Sequence, residues 1–132
     1  MDTVSATKRS DIMARVRHYD TAPELTVRSL LHRAGLRFRT DGAGLRGRPD
    51  VVLPRWRIAI FVHGCFWHGH NCRRAKLPAT NLAFWAEKQR RNRERDRVSR
   101  MALQADAWEV YEIWTCALDA GVAAVLAATG KN

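Results

Sequence analysis

"DVVLPRWRIAIFVHG", residues 50–64, carries two apolar, β-branched runs, Val51–Leu53 and Ile58–Val62, around a tight "PRW". Runs of this kind broken by a proline turn predict a β-hairpin. The second run is apolar on both faces, as a central strand must be. Upstream, "TAPELTVRSLLHRAG" predicts an amphipathic helix, with Thr21 as cap, Pro23 in the first turn, Leu25, Leu30 and Leu31 as the apolar face, and Gly35 as the stop. Between helix and hairpin, "LRFRT" alternates like a short strand and "DGAGLRGRPD" is a glycine-rich loop. Downstream come a loop, "RRAKLPAT", and a long charged helix from about Asn81 to Ala105. "WEVYEIW" alternates as a further strand, and "CALDAGVAAVLAATG" predicts a small-residue helix. The order helix, strands, helix, strand, helix predicts an α/β fold, a mixed sheet flanked by helices.

The hairpin runs into "FVHGCFWHGHNC", residues 61–72, which holds two of the three cysteines and three of the five histidines. Three cysteines cannot all pair internally, so metal or chemistry is favoured over a disulfide framework. Cys65, His70 and Cys72 form C-x4-H-x-C, and tetrahedral zinc needs a fourth ligand. Cys116 is the remaining cysteine and stands at the end of the later strand, where a neighbouring loop can meet it. Four ligands would make a closed structural zinc site pinning an irregular loop; two unmetallated loop cysteines and a buried one is the plainer alternative. His63 and His68 are then left over, as an acid/base pair or as ordinary histidines. Phe66 and Trp67 cannot both point into a core from a glycine-flanked loop, and an exposed aromatic in a basic protein suits stacking on bases. Asp50 before a strand and Glu24 early in a helix are the carboxylates that could hold Mg²⁺ against a phosphate. The plainer reading of Asp50 in "RPD" is a turn residue.

The chain has 132 residues, 46% of them hydrophobic, with 23 Lys and Arg against 13 Asp and Glu, a formal charge of +10. That length suits one domain, here residues 21–132, preceded by a basic arm or short helix over residues 1–20. Arg supplies most of the positive charge and favours a nucleic-acid partner. No long apolar run or signal-like leader is present, so a cytoplasmic protein without a membrane partner is expected. The long helix also offers i,i+4 pairs such as Glu87 with Arg91, so part of its charge is a solvated face.

Taken together, "DTAPE" with Glu24, "LRFR", "GRPD" with Asp50, "FVHGCFWHGHNC", "LPAT", "FWAEK" with Trp85, "NRERDR" and "WEVYEIWTC" ending at Cys116 resemble the very short patch repair (Vsr) mismatch endonucleases. The likeness runs in order over roughly residues 7–118. It implies a restriction-endonuclease-like fold of the PD-(D/E)xK class with that motif altered. Asp50 and the main-chain carbonyl of Val62 would hold catalytic Mg²⁺; the family often has Thr at the Val62 position, which a main-chain ligand tolerates. His68 would act as general base or orient the attacking water, with Glu24 and His63 supporting it through hydrogen bonds. Cys65, His70, Cys72 and Cys116 match the structural zinc ligands, and Phe66, Trp67 and Trp85 match aromatics that enter the duplex. Gly69 and Asn71 depart from the commoner "HHHHC" form of the loop and bear on its stiffness. The implied activity is Mg²⁺-dependent nicking of one strand beside a T:G mismatch, starting short-patch repair. The implied protein is a monomeric, nucleoid-associated bacterial enzyme acting on mismatched double-stranded DNA. A nuclease of this fold with another DNA target, and a zinc-stabilised binder of distorted DNA that does not cut, are the competing readings. The chain ends soon after Cys116, so no sizeable C-terminal addition is expected.

Overall fold

The computed structural model describes residues 21–131, so the basic arm expected over residues 1–20 lies outside the described residues. Helix α1, Ala22–Arg33, starts where the Thr21 hydroxyl accepts the Glu24 N–H at 3.4 Å. Pro23 sits in its first turn, where no N–H is needed, and Gly35 at φ +88° leaves it. Its buried stripe is Glu24, Val27 and Leu31, not the expected one through Leu25, which is 51% exposed. At 3.6 residues per turn, Leu25 points well away from Val27, whereas Glu24 lies one turn below it. A carboxylate is thereby turned inward.

Strands β1 (Val51–Leu53) and β2 (Ile58–His63) form the expected hairpin, antiparallel with Val51 opposite Ile60 and Leu53 opposite Ile58. The turn closes with Arg57 in the left-handed region at φ +51°. Its guanidinium caps the Asp106 carbonyl at 2.6 Å and lies 4.6 Å from the Trp108 ring, tying the hairpin to the chain's later half. Helix α2 (Leu82–Ala105) then carries the chain back to β3 (Glu109–Trp114), parallel to β2 with His63 opposite Trp114. Parallel neighbours need such a crossover. Helix α3 (Leu118–Thr129) follows. The sheet order β1-β2-β3 makes β2 central, as its sequence indicated. The strand expected in "LRFRT" reduces to one bridge, Arg39 with Val52. Leu36 is buried and Phe38 packs on the core, so the alternation is real. However, β1 offers only three residues, and the chain turns off at once into a 3₁₀ turn over Gly42–Gly44.

The two faces of the sheet differ. Ile58, Ile60, Val62, Val51, Leu53 and Ile113 meet Val27 and Leu31 of α1 and Val122 and Val125 of α3 in one apolar core. Each such side chain fully buried contributes roughly 1.5–3 kcal/mol. Gly121 allows α3 to sit close, since a Cβ there would lie 2.6 Å from Ile113. On the opposite face the alternation presents Phe61, His63, Glu112 and Trp114 beneath α2. Helix α2 buries Trp85, Gln89, Asn92 and Leu103, a largely polar inner stripe, while Glu87 with Arg90 and Arg91, and Glu94 with Arg97, pair outside. Exposed pairs of this kind are worth only tenths of a kcal/mol each. Among the described residues no helix is long and apolar enough to cross a membrane.

Candidate functional site

Asp50 stands at the head of β1, and its Oδ2 accepts the Val62 N–H at 2.7 Å. The hairpin register thus sets this carboxylate against the end of the central strand. Glu24 approaches from the inner stripe of α1, only 4% exposed, with Arg28 at 3.4 Å. Burial pushes the Asp50 carboxyl up to about 7; the Val62 N–H opposes this, and the charge and hydrogen bond of Glu24 add to it. Two inward-facing carboxylates, with Glu24 disfavouring ionisation of Asp50, are a hard-oxygen donor set suited to a divalent cation such as Mg²⁺.

His63 ends β2, 4% exposed, with Nε2 2.9 Å from Glu112 Oε2. Arg100 of α2 donates to the other Glu112 oxygen at 2.6 Å. The close His63 ring, and then the Arg100 bond against the opposing effect of burial, hold the Glu112 carboxyl down at about 2. His68 lies in the following loop with its ring 4.1 Å from that of His63 and its Nδ1 2.5 Å from Asp96 Oδ2. The carboxylate bonded to His68 is therefore Asp96 of α2; His63 meets His68 ring to ring and takes Glu112 as its own carboxylate. The sequence reading named neither acid. The signals were present: Asp96 extends the inner stripe Gln89–Asn92 of α2, and Glu112 shares strand parity with Trp114 rather than with the core residue Ile113.

Parallel pairing sets the ends of β2 and β3 side by side, and so brings Cys116 to the loop after β2. The ligand atoms of Cys65, His70, Cys72 and Cys116 all lie within 4.8 Å of one another. Cys116 Sγ is 3.5 Å from His70 Nδ1; ordinary zinc bond lengths in a tetrahedron give an S–N edge of roughly 3.6 Å. Donors and spacing fit a borderline metal such as zinc. The His70 ring stacks on Trp114 at 4.1 Å, and Thr115 Oγ1 accepts the Cys65 N–H and donates to its Sγ, both at 3.3 Å. Burial alone would raise the Cys65 thiol. The Thr115 hydroxyl, the Cys116 backbone and the two other thiols outweigh it and draw it to about 6, towards the thiolate a metal needs. Cys116 moves the other way, to about 11, through burial and its thiol neighbours. Gly69, at φ +61°, fits tightly over α2, where a Cβ would lie 3.2 Å from both Gln89 and Arg93.

The aromatics gather on the same side. Phe66, Trp67 and Trp85 meet edge to face at 5.3–5.9 Å. Gln89 and Asn92 each donate an amide N–H, at 2.6 Å, to the carbonyls of Phe66 and Trp67, pinning both rings to α2. Phe66 and Trp67 are half-buried, but Trp85, expected to enter a duplex, is 6% exposed. It starts the inner stripe of α2 and underlies the other rings. The most exposed of these rings is Phe84, 56% exposed and 4.9 Å from Trp85, a residue the sequence reading passed over. Beside Phe84, a groove of about 940 Å³ runs between Arg46 and α2, lined also by Lys88, Arg91 and Arg95.

Comparison with known proteins agrees with this assembly. Residues 1–74 match the family model described as DNA mismatch endonuclease Vsr. The chain belongs to the Vsr DNA mismatch endonuclease family. The chain is similar to the DNA mismatch endonuclease Vsr of Escherichia coli (strain K12), 48% identical over 110 residues, which cover 83% of this chain and 70% of that protein. It is likewise similar to the Type II nicking enzyme V.XorIIP of Xanthomonas oryzae pv. oryzae (strain KACC10331 / KXO85), 47% identical over 89% of this chain and 86% of that protein. A third relative, the Type II nicking enzyme V.NmeAIP of Neisseria meningitidis serogroup A / serotype 4A (strain DSM 15465 / Z2491), is 37% identical over 89% of this chain and 84% of its own. This Vsr family member is a DNA endonuclease, and its family implies use of a divalent metal.

Proposed function

We propose that this endonuclease nicks one strand of double-stranded DNA beside a T:G mismatch, the lesion left when 5-methylcytosine deaminates, and so starts very short patch repair. The observation that carries the reading is the convergence, at one end of the sheet, of the Asp50–Glu24 carboxylates, the His68–Asp96 and His63–Glu112 pairs, and the aromatic cluster. On the resemblance to restriction-endonuclease-like nucleases of the PD-(D/E)xK class, Asp50 at the head of β1 and Val62 near the end of β2 would be the metal-ligand positions, with the second acid and lysine altered. Asp50 and the Val62 carbonyl would hold Mg²⁺, which when bound would neutralise charge developing on the scissile phosphate. His68, held through Nδ1 by Asp96, presents its other ring nitrogen to accept a proton from the attacking water. His63, packed against His68 and fixed by Glu112, orients that ring, and Glu24 holds the Asp50 carboxylate in place.

Zinc at Cys65, His70, Cys72 and Cys116 would play a structural part, keeping rigid the loop that presents His68, Phe66 and Trp67. A mismatched pair stacks poorly, so inserting aromatics of the Phe66, Trp67 and Trp85 cluster beside it costs less than at a paired step. Residues 21–132 act as one endonuclease domain and the basic segment 1–20 follows the phosphate backbone, in a monomer suited to an asymmetric lesion inside a bacterial cytoplasm. The names of several relatives, Type II nicking enzymes, favour one further reading, strand nicking tied to a defined sequence. End-labelled duplexes carrying T:G, each other mismatch or none, in varied flanks with Mg²⁺, test both. A single cut on the thymine strand beside T:G supports the proposal. Equal cutting of paired duplex moves the enzyme to the second reading.

A further inference from the structure

The ring nitrogens of His63 and His68 and a carboxylate oxygen of Asp96 lie within 4.8 Å of one another. They come from three separately anchored elements: the end of β2, the loop after it and helix α2. His63 is wedged among Phe61 at 5.8 Å, Trp114 at 5.0 Å and His68 at 4.1 Å, and its Nε2 lies 2.9 Å from Glu112 Oε2 without the alignment of a hydrogen bond. The loop bearing His68 is tied to α2 by the Gln89 and Asn92 amides, and its backbone folds back so that the His68 N–H donates to the Gly64 carbonyl at 3.2 Å. Two imidazoles and a carboxylate, preorganised and largely shielded, are the donors that zinc and its neighbours select over Mg²⁺, which prefers oxygen alone.

We propose that His63, His68 and Asp96 form a second metal site, distinct from the Cys/His quartet and from the Asp50 carboxylate, which takes a borderline transition ion such as Zn²⁺ and switches the endonuclease off. Binding releases the proton between His68 Nδ1 and Asp96 Oδ2 to solvent, and the pair opens from 2.5 Å to the roughly 3.3 Å edge of a tetrahedral site so that both coordinate the ion. Inhibition rests on the role given to His68 above, since a ring bound to metal cannot serve the attacking water. The binding itself does not rest on that role.

The test titrates full-length protein, its quartet already loaded with zinc, with Co²⁺ and separately with Zn²⁺. One further equivalent per chain is expected. Bound Co²⁺ should show visible d–d bands without the near-ultraviolet thiolate charge transfer that cobalt in the quartet would give. His63→Gln and Asp96→Asn should each weaken this binding by tenfold or more, while Asp50→Asn retains it. His68→Gln serves as a third variant, and far-ultraviolet circular dichroism reports whether each is folded. Nicking of a T:G duplex in Mg²⁺ should fall in proportion to occupancy of the second equivalent. Absence of that equivalent, its persistence in folded histidine and Asp96 variants, or its loss in Asp50→Asn would overturn the site. If the second ion binds as described but the metal-free site never cuts T:G duplex, the site stands and the mismatch reading falls.

Discussion

Replacing Asp50 by Asn separates the electrostatic account of this site from its catalysis. The amide keeps the shape of the carboxyl and an oxygen to accept the Val62 N–H, but it cannot ionise. In the folded protein the Asp50 carboxyl sits at about 7, against an ordinary 3.8, chiefly through burial and then through Glu24. Between those values the native state holds a proton that the unfolded chain has released, so stability must decline as pH rises through the window. At roughly 1.4 kcal/mol per tenfold change, the whole span corresponds to a penalty of about 4 kcal/mol for the metal-free wild type above pH 7. Asp50→Asn escapes it. Urea unfolding of both proteins in a metal chelator too weak to strip the quartet, at pH 4, 6 and 8, should show near-equal stability at pH 4 and a variant more stable by a few kcal/mol at pH 8. Added Mg²⁺ should then stabilise the wild type at pH 8 and leave the variant unmoved. A difference between the two proteins that stays flat from pH 4 to 8 would refute the reasoning.

Other perturbations follow from the same geometry. Glu112→Gln should lower the nicking rate about tenfold or more while DNA affinity stays unchanged, because the amide holds His63 less firmly and leaves Arg100 facing a neutral group; single-turnover rates beside a binding isotherm measure both. Trp85→Ala should destabilise the fold by about 3–5 kcal/mol, as expected for emptying a buried tryptophan site, whereas Phe84→Ala should shift unfolding by less than about 0.5 kcal/mol. If Phe84 stacks on a base, its loss weakens binding to mismatched duplex by about 1–3 kcal/mol. Cys116→Ala should lower the zinc content found by elemental analysis and make the Cys65–Cys72 loop cleavable by protease under conditions where the parent resists, since a three-donor remnant holds the metal less well.

The hairpin, the long crossover helix and the meeting of Cys116 with the "CFWHGHNC" loop were legible because each rests on local pattern plus one topological step. Apolar runs mark β1 and β2, a 24-residue charged helix marks α2, and parallel pairing places the strand ends together. The outward turn of Leu25 was misread because three leucines suggest a stripe by identity, while the helical angle assigns the inner face to Glu24, Val27 and Leu31. Asp96 and Glu112 escaped because their neighbours in sequence, "RERDR" and "VYEIW", look like surface charge. Only the packing of α2 over the polar face of the sheet turns them toward the histidines. Trp85 and Phe84 are adjacent aromatics, and which one is buried depends on the phase of α2 against the loop.

The central claim is that this chain cuts DNA because a mismatch is present. Its most direct test is the single-turnover nicking rate, in Mg²⁺, on two duplexes that differ only in T:G against C:G at one position. A rate at least a hundredfold higher on T:G, with one cut on the thymine strand and none by Asp50→Asn, is the expected result. Equal rates on the two duplexes would contradict it.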